Sequence, residues 1–358
     1  MEKFILKNFT LIRTIIAIAI GVAVSVLLIY LISATPSGSL KYFFVGPLLS
    51  KSRLSNVFEM AAPIMLCGVA IAVAFQAEQF NIGAEGALYI SAAVATAFAV
   101  STHMPAILHI PLTILIAACV GAAWGFVPGI LKAKLGASEL VATLMMNYIA
   151  YFLGLYLINY HFRDKSAGYL VSYALPETAR LGQFIPGTRM HWGIILAVII
   201  AVLVYFFLYH TTTGYEIRMT GSNRKFARFG GINIIKVVIL SQVISGALAG
   251  VGGIFEVMGI HGRFNWQTSP GYGWDGVIVA IIGRNHPILI IFASLFLSYL
   301  RVGGSVVNLM ADVPTEMVSV IQSVIILLIT AEAFLSRWKY RITVREAERE
   351  EKIHESAS

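Results

Sequence analysis

Two carboxylates stand between glycines where apolar runs begin. The first is Glu85, in Phe80-Asn81-Ile82-Gly83-Ala84-Glu85-Gly86. The second is Asp275, in Gly273-Trp274-Asp275-Gly276. The order Gly, any residue, acid, Gly, apolar helix thus occurs twice, 190 residues apart. An acid inside or at the edge of a bilayer is costly and is a functional candidate by default. The glycines permit positive φ and close backbone approach. A helix starting at Gly83 places Glu85 in its first turn, where the positive end of the helix dipole favours a carboxylate. Such acids can hold, orient and bind. The plainer alternative is that each one only caps a helix start at the lipid interface.

Other polar groups bear on the same path. Asn81 belongs to the first stretch and Trp274 to the second. Asn147 falls in mid-span, where an amide either bonds a neighbouring helix or lines a path. Phe264 and Asn265, with His261 and Trp266, form an aromatic-polar cluster before the second acid, either an interfacial belt or a substrate-facing group. Glu256 is expected to pair with nearby Arg263. There is no His-x-x-x-His, no Gly-x-Ser-x-Gly and no pair of acids on one helix, so neither a metal centre nor catalytic residues are expected, and an intramembrane enzyme is disfavoured. No Gly-x-x-x-x-Gly-Lys-Ser/Thr occurs either, so there is no P-loop for nucleotide phosphates and the chain is not expected to hydrolyse ATP by itself.

The elements that carry these residues are membrane helices. The 358 residues are 58% hydrophobic and 12% charged, with mean hydropathy +0.80. Soluble domains carry about 25% charged residues. The chain therefore reads as an all-α polytopic membrane protein. Cys67 and Cys119 both lie in apolar runs and are expected to be buried thiols. The net charge of +8 is spread among loops, as membrane topology requires, and not gathered for nucleic acid.

Runs of about 20 apolar residues can span a bilayer. They fall near 12–33, 56–77, 85–101, 109–130, 139–160, 192–209, 237–258, 288–303 and 317–336, with a short one at 272–283. That makes about ten transmembrane helices in one membrane domain over 1–358. Residues 1–11 form a short N-terminus, 12–336 the membrane core and 337–358 a charged tail. The first run is too long for the core of a cleavable leader. With the N-terminus cytoplasmic, 17 Lys and Arg fall inside and 9 outside, as the positive-inside rule requires. Both termini and the 211–236 loop are then cytoplasmic. The two acids precede spans three and eight, an odd offset, so the two broken helices start from opposite sides. Paired breaks in inverted halves point to a transporter's substrate path.

Within 211–236, Ser222 is positioned to cap a short helix, Asn223 to Phe229, that Gly230 and Gly231 stop. Phe226 and Phe229 share a face, with Arg224, Lys225 and Arg228 on the other sides. Such a helix fits a groove on a partner protein or lies on anionic lipid. The loop from His161 to His191 is mixed in charge and reads as an ordered cap or docking surface.

Taken together, these motifs resemble those of permease subunits of bacterial ABC importers, in the branch that includes ribose-type and branched-chain amino-acid permeases, and most of all nucleoside and simple-sugar permeases. The resemblance rests on Phe80 to Gly86; Leu131 to Glu139 with Met146-Asn147-Tyr148; Thr213 to Arg218 with Gly221-Ser222-Asn223; His261 to Phe264; and Ser269 to Gly276 with Gly283-Arg284-Asn285. It implies about ten spans per subunit, a core of two permeases, the second a related chain, and a coupling loop at Gly214 to Ile232. It places Ser222, Asn223, Arg224, Lys225, Phe226, Arg228, Phe229 and Gly230 at an ATPase contact, although family members often have small residues where this chain has Phe226 and Phe229. ATP would be used by the separate ATPase, no cofactor would bind this chain, and an extracytoplasmic solute-binding protein would deliver the solute at the cell membrane. Nucleosides are the expected solute and a simple sugar the alternative. An ion-coupled secondary transporter would use the same inverted repeats and broken helices.

Overall fold

The structure, a computed structural model, describes residues 36–311 and the isolated positions 23, 26, 27, 30, 320 and 323. The expected spans at 12–33 and 317–336 and the tail lie outside the described residues. The described chain forms two units. One contains the short helix α1 (Pro36–Phe44), and the other runs from Leu48 to Tyr299 and carries the candidate site.

Among the described residues the helices are α2 (Lys51–Gln76), α3 (Ala84–Ser101), α4 (Ala106–Leu135), α5 (Glu139–His161), α6 (Trp192–His210), α7 (Thr212–Ser222), α8 (Arg224–Phe229), α9 (Ile234–Glu256), α10 (Tyr272–Ile282) and α11 (Pro287–Met310). Seven of these, with α9 extended to His261, are long and apolar enough to cross a membrane, and α10 is a shorter apolar helix. They match the expected runs between 56 and 303 one for one. The total of about ten is not reached among the described residues.

Burial separates the centre of the larger unit from its rim. Most residues of α2 and α3 are buried, whereas only about a fifth to a third of those in α4, α5 and α6 are, and the rest are part or fully exposed. Exposed apolar faces are the natural state of a helix that borders lipid. Cys119 sits on such a face of α4 and is exposed, contrary to expectation, while Cys67 on α2 is buried. The reason is which side of α4 turns inward. Gly121 and Gly125 press on α9 so closely that a Cβ on Gly125 would lie 3.0 Å from the Gln242 carbonyl carbon. Small residues let the two backbones meet, and Cys119 is left on the opposite side. Pro63 in α2 and Pro111 and Pro128 in α4 are accommodated within their helices, as neighbouring groups in membrane bundles allow.

The chain between α9 and α10 is not helical. α9 continues into a π-helical turn, Val257–His261, which Gly262 ends at φ +61°. An extended strap then runs to Gly271, at φ +86°, where α10 begins. The 162–191 loop holds the start of this strap. Ser172, Leu175 and Leu181 donate backbone N–H groups to the carbonyls of Phe264, Gly262 and Met258, at 3.0, 2.8 and 3.0 Å. The loop is thus an ordered cap. Arg263 pairs with Asp164 at 3.7 Å, not with Glu256. Hydrogen bonds from Ser166 hold the Asp164 carboxyl below its ordinary range. Glu256 instead accepts the Tyr272 hydroxyl at 3.0 Å and lies 3.6 Å from His261 Nε2. The π-helical turn winds His261 back over Glu256, and Arg263 is carried past it towards the cap.

Candidate functional site

Both acids lie in first turns, as the spacing predicts. Glu85 is the second residue of α3 and Asp275 the fourth of α10, and both are buried. Neither helix has a side-chain cap of its own at Gly83 or Gly271, so orphan N–H groups are left at each start.

Glu85 caps the other helix. Its Oε1 accepts the Gly271 N–H at 2.7 Å and the Ser269 hydroxyl, and its Oε2 accepts the Gly273 N–H at 2.5 Å. A carboxylate beside a helix start also meets the favourable end of the dipole. Gly273 has to be glycine here, because a Cβ would lie 2.5 Å from Glu85 Cα and 2.7 Å from its Cβ. Gly276 serves a similar approach to α2, where a Cβ would meet Cys67 Cβ at 2.7 Å.

Asn147 clamps the start of α3 from α5. Its Oδ1 accepts the Gly86 N–H at 2.8 Å and its Nδ2 donates to the Ile82 carbonyl at 2.9 Å. The amide therefore bonds on both sides of Glu85. Asn81 secures the same segment, accepting the Gly83 N–H at 2.7 Å and donating to Ser245 on α9 at 2.9 Å.

These contacts frame a cavity of about 290 Å³ between α3, α5 and the turn into α10. Glu85, Asn147 and Trp274 line it. Asn81, Phe264, Asn265 and Asp275 are not among its lining residues. Phe264 is buried against the Tyr89 ring at 5.2 Å, edge to face, and Asn265 approaches His261 at 3.4 Å. Tyr89, Tyr148, Tyr151, Phe152, Thr268 and Ser269 also line the cavity, and sequence reasoning missed them. The signal was available. Leu144, Asn147, Tyr148, Tyr151 and Phe152 follow helical spacing and share one face of α5.

A second group of residues lies at the opposite end of α2 from Lys51. α7 ends at Ser222, and the cap of α8 is Asn223, whose side chain accepts the Phe226 N–H at 3.0 Å. Ser222 is the last residue of the preceding helix and does not serve as the cap. The extended backbone that a cap requires falls one residue later, at Asn223 with φ −158°. Gly230 follows α8, and Gly231 turns the chain at φ +81°. Ala227 is buried, while Phe226 and Phe229 are 60% and 93% exposed. Lys225 and Arg228 are also exposed. Arg224 points back to the α2–α3 junction. Its Nε lies 3.1 Å from Glu78 Oε2 and its Nη2 donates to the Glu78 carbonyl at 3.1 Å. Glu78 has φ +58°. α8 is thereby fastened to the segment that leads, seven residues on, to Glu85. Lys132 and Glu139, 2.6 Å apart, close the neighbouring α4–α5 turn, where Gly136 adopts φ +66°.

Comparison with known proteins places this geometry. Residues 53–330 match the family described as branched-chain amino acid transport system / permease component. Three relatives align along most of their length. A glucose ABC transporter permease protein of Haloferax volcanii is 32% identical over 92% of this chain and 89% of its own. A guanosine ABC transporter permease protein of Bacillus subtilis is 32% identical over 88% and 92%. A nucleoside ABC transporter permease protein of Lactococcus lactis subsp. cremoris is 31% identical over 88% and 90%. The buried acids at these helix starts thus sit in a translocation subunit and not in an enzyme, and the chain belongs to the branched-chain amino acid transport system / permease component family of ABC transporter permeases.

Proposed function

We propose that this permease carries nucleosides into the cell, driven by ATP that a separate ATPase subunit hydrolyses. One observation carries the reading: full-length relatives named for guanosine and nucleoside transport share about a third of their residues with this chain. The glucose permease relative supports a simple sugar as the second reading. The Glu85–Asn147 cavity is the substrate path in this scheme. Asn81 and Asp275 brace the two broken helices beside it, and Phe264 and Asn265 support the strap above.

The family supports an ATPase and a solute-binding protein as partners. An ATPase subunit docks on α8 through Phe226 and Phe229, with Ser222, Asn223, Arg224, Lys225, Arg228 and Gly230 around the contact. A solute-binding protein delivers the nucleoside at the 162–191 cap. A second, related permease completes the core. The positive charge distribution supports cytoplasmic termini and a cytoplasmic 211–236 loop, in a single membrane domain of about ten helices with inverted halves. The experiment is co-purification from native membrane, with identification of the bound subunits. An ATPase, a second permease and a solute-binding protein are expected; recovery of the chain alone, with intact membrane insertion, would contradict the reading.

A further inference from the structure

We infer that the cavity between α3, α5 and the 268–274 turn is a stacking site for the planar, uncharged heteroaromatic ring of the solute, gripped by its faces and not read by directional hydrogen bonds. The inference rests on the permease reading above and gives it a physical basis for choosing a nucleoside over a sugar.

The wall is rich in rings. Tyr89, Tyr148, Tyr151, Phe152 and Trp274 make up five of its eleven residues. Tyr89 and Tyr151 stand 5.4 Å apart, and Tyr151 and Phe152 5.1 Å. Tyr148, Phe152 and Trp274 are 57%, 64% and 46% exposed, so they form the accessible part of the lining.

The polar groups that could read a ligand's edge are engaged within the protein. Both Glu85 oxygens take backbone or hydroxyl donors. Asn147 spends both ends of its amide on Gly86 and Ile82. The hydroxyls of Tyr89 and Tyr151 donate to the Trp266 and Gln267 carbonyls, at 2.7 and 2.8 Å. A hexose carries hydroxyls around its ring, and each one stripped of water needs a replacement partner. This wall has committed most of those partners already. A nucleoside also carries ribose hydroxyls, but its base adds a flat ring face that stacking alone can hold, and every base has one, so stacking tolerates base identity. The site therefore accepts purine and pyrimidine nucleosides alike, and discrimination among them is left to the solute-binding protein.

The test uses the complete transporter in cells, with labelled adenosine and cytidine. One variant pair, Trp274→Leu with Tyr148→Leu, removes two rings; the other, Trp274→Phe with Tyr148→Phe, keeps them. The Leu pair should lower uptake of both nucleosides by about tenfold or more, and the Phe pair should stay within about threefold of wild type, as loss of stacking predicts. Co-purification of the other subunits should be unchanged. Wild-type uptake in the Leu pair would overturn the site, as would an equal loss in both pairs or a loss confined to one nucleoside. Because variants can disturb assembly, photolabelling of the wild-type complex with 8-azidoadenosine gives a second measure. Label at 144–152 or 268–274 supports the site, and label confined elsewhere overturns it. If the wild-type complex takes up no nucleoside at all, the proposed function itself fails and the site with it.

Discussion

Glu85 of α3 accepts the backbone N–H of Gly273 of α10, so that one helix caps the start of the other. The pairing explains why the acid is buried and why its neighbour has no side chain. In Glu85→Gln the amide keeps one acceptor but turns its NH₂ towards a backbone donor. Losing charged hydrogen bonds in a buried site costs about 1–3 kcal/mol each, against only about 0.3–1 kcal/mol for an exposed dipole interaction. Glu85→Gln is expected to cut initial nucleoside uptake severely at normal membrane abundance, and the same is expected of Asp275→Asn from the burial of that acid in the first turn of α10. Wild-type-like rates in both, normalised to permease in the membrane, would reduce the acids to simple caps.

Asn147 makes a separable prediction. Asn147→Leu keeps the size of the side chain but leaves the Gly86 N–H and Ile82 carbonyl without their partner. Each unsatisfied buried group costs about 1–3 kcal/mol, so the detergent-solubilised permease should melt at lower temperature and uptake should fall. An unchanged melting temperature would show that water replaces the amide at no cost.

Much of this was legible in the sequence, for physical reasons. A glycine-acid-glycine break in an apolar run marks a helix start where backbones approach closely and a buried acid needs donors. Membrane helices themselves are read from the length of their apolar runs. Pairwise geometry was not legible. Nothing in the spacing says that Glu85 reaches Gly271 and Gly273, because that contact joins residues more than 180 positions apart. The cap of α8 shifted from Ser222 to Asn223 because both types can cap, and backbone conformation decides between them. Glu256 and Arg263 looked like partners from proximity in sequence, but the π-helical turn rotated them apart. The aromatic face of α5 was missed although its spacing was visible, since Tyr and Phe in a membrane helix read first as lipid-facing.

Coupling to the ATPase is tested at α8. Phe226 and Phe229 are the exposed knobs of that helix, and burying an unpaired carboxylate in a partner groove is costly. Phe226→Asp with Phe229→Asp should abolish uptake and release the ATPase while the permease still inserts. Full uptake with the ATPase retained in pull-down would remove α8 from the coupling path. Arg224→Ala, by contrast, breaks an exposed ion pair with Glu78 worth about 0–1 kcal/mol, and should leave permease abundance unchanged.

Membrane orientation is tested by labelling. Lys225 and Lys165 are exposed, in α8 and in the 162–191 loop. With Cys67 and Cys119 replaced, single cysteines at these two positions should react from opposite faces of the membrane. A membrane-impermeant reagent added to intact cells should label position 165 and spare 225. Equal labelling of both from outside would contradict the orientation.

The central claim is that the energy for nucleoside uptake comes from ATP and not from an ion gradient acting at Glu85 and Asp275. The most direct measurement is initial nucleoside uptake in cells whose ATP is held constant while an ionophore collapses the proton and sodium gradients, alongside cells depleted of ATP with gradients intact. Uptake that survives the ionophore and stops on ATP depletion is the predicted result. Uptake lost on ionophore at constant ATP would contradict it and make the two buried acids ion-coupling sites.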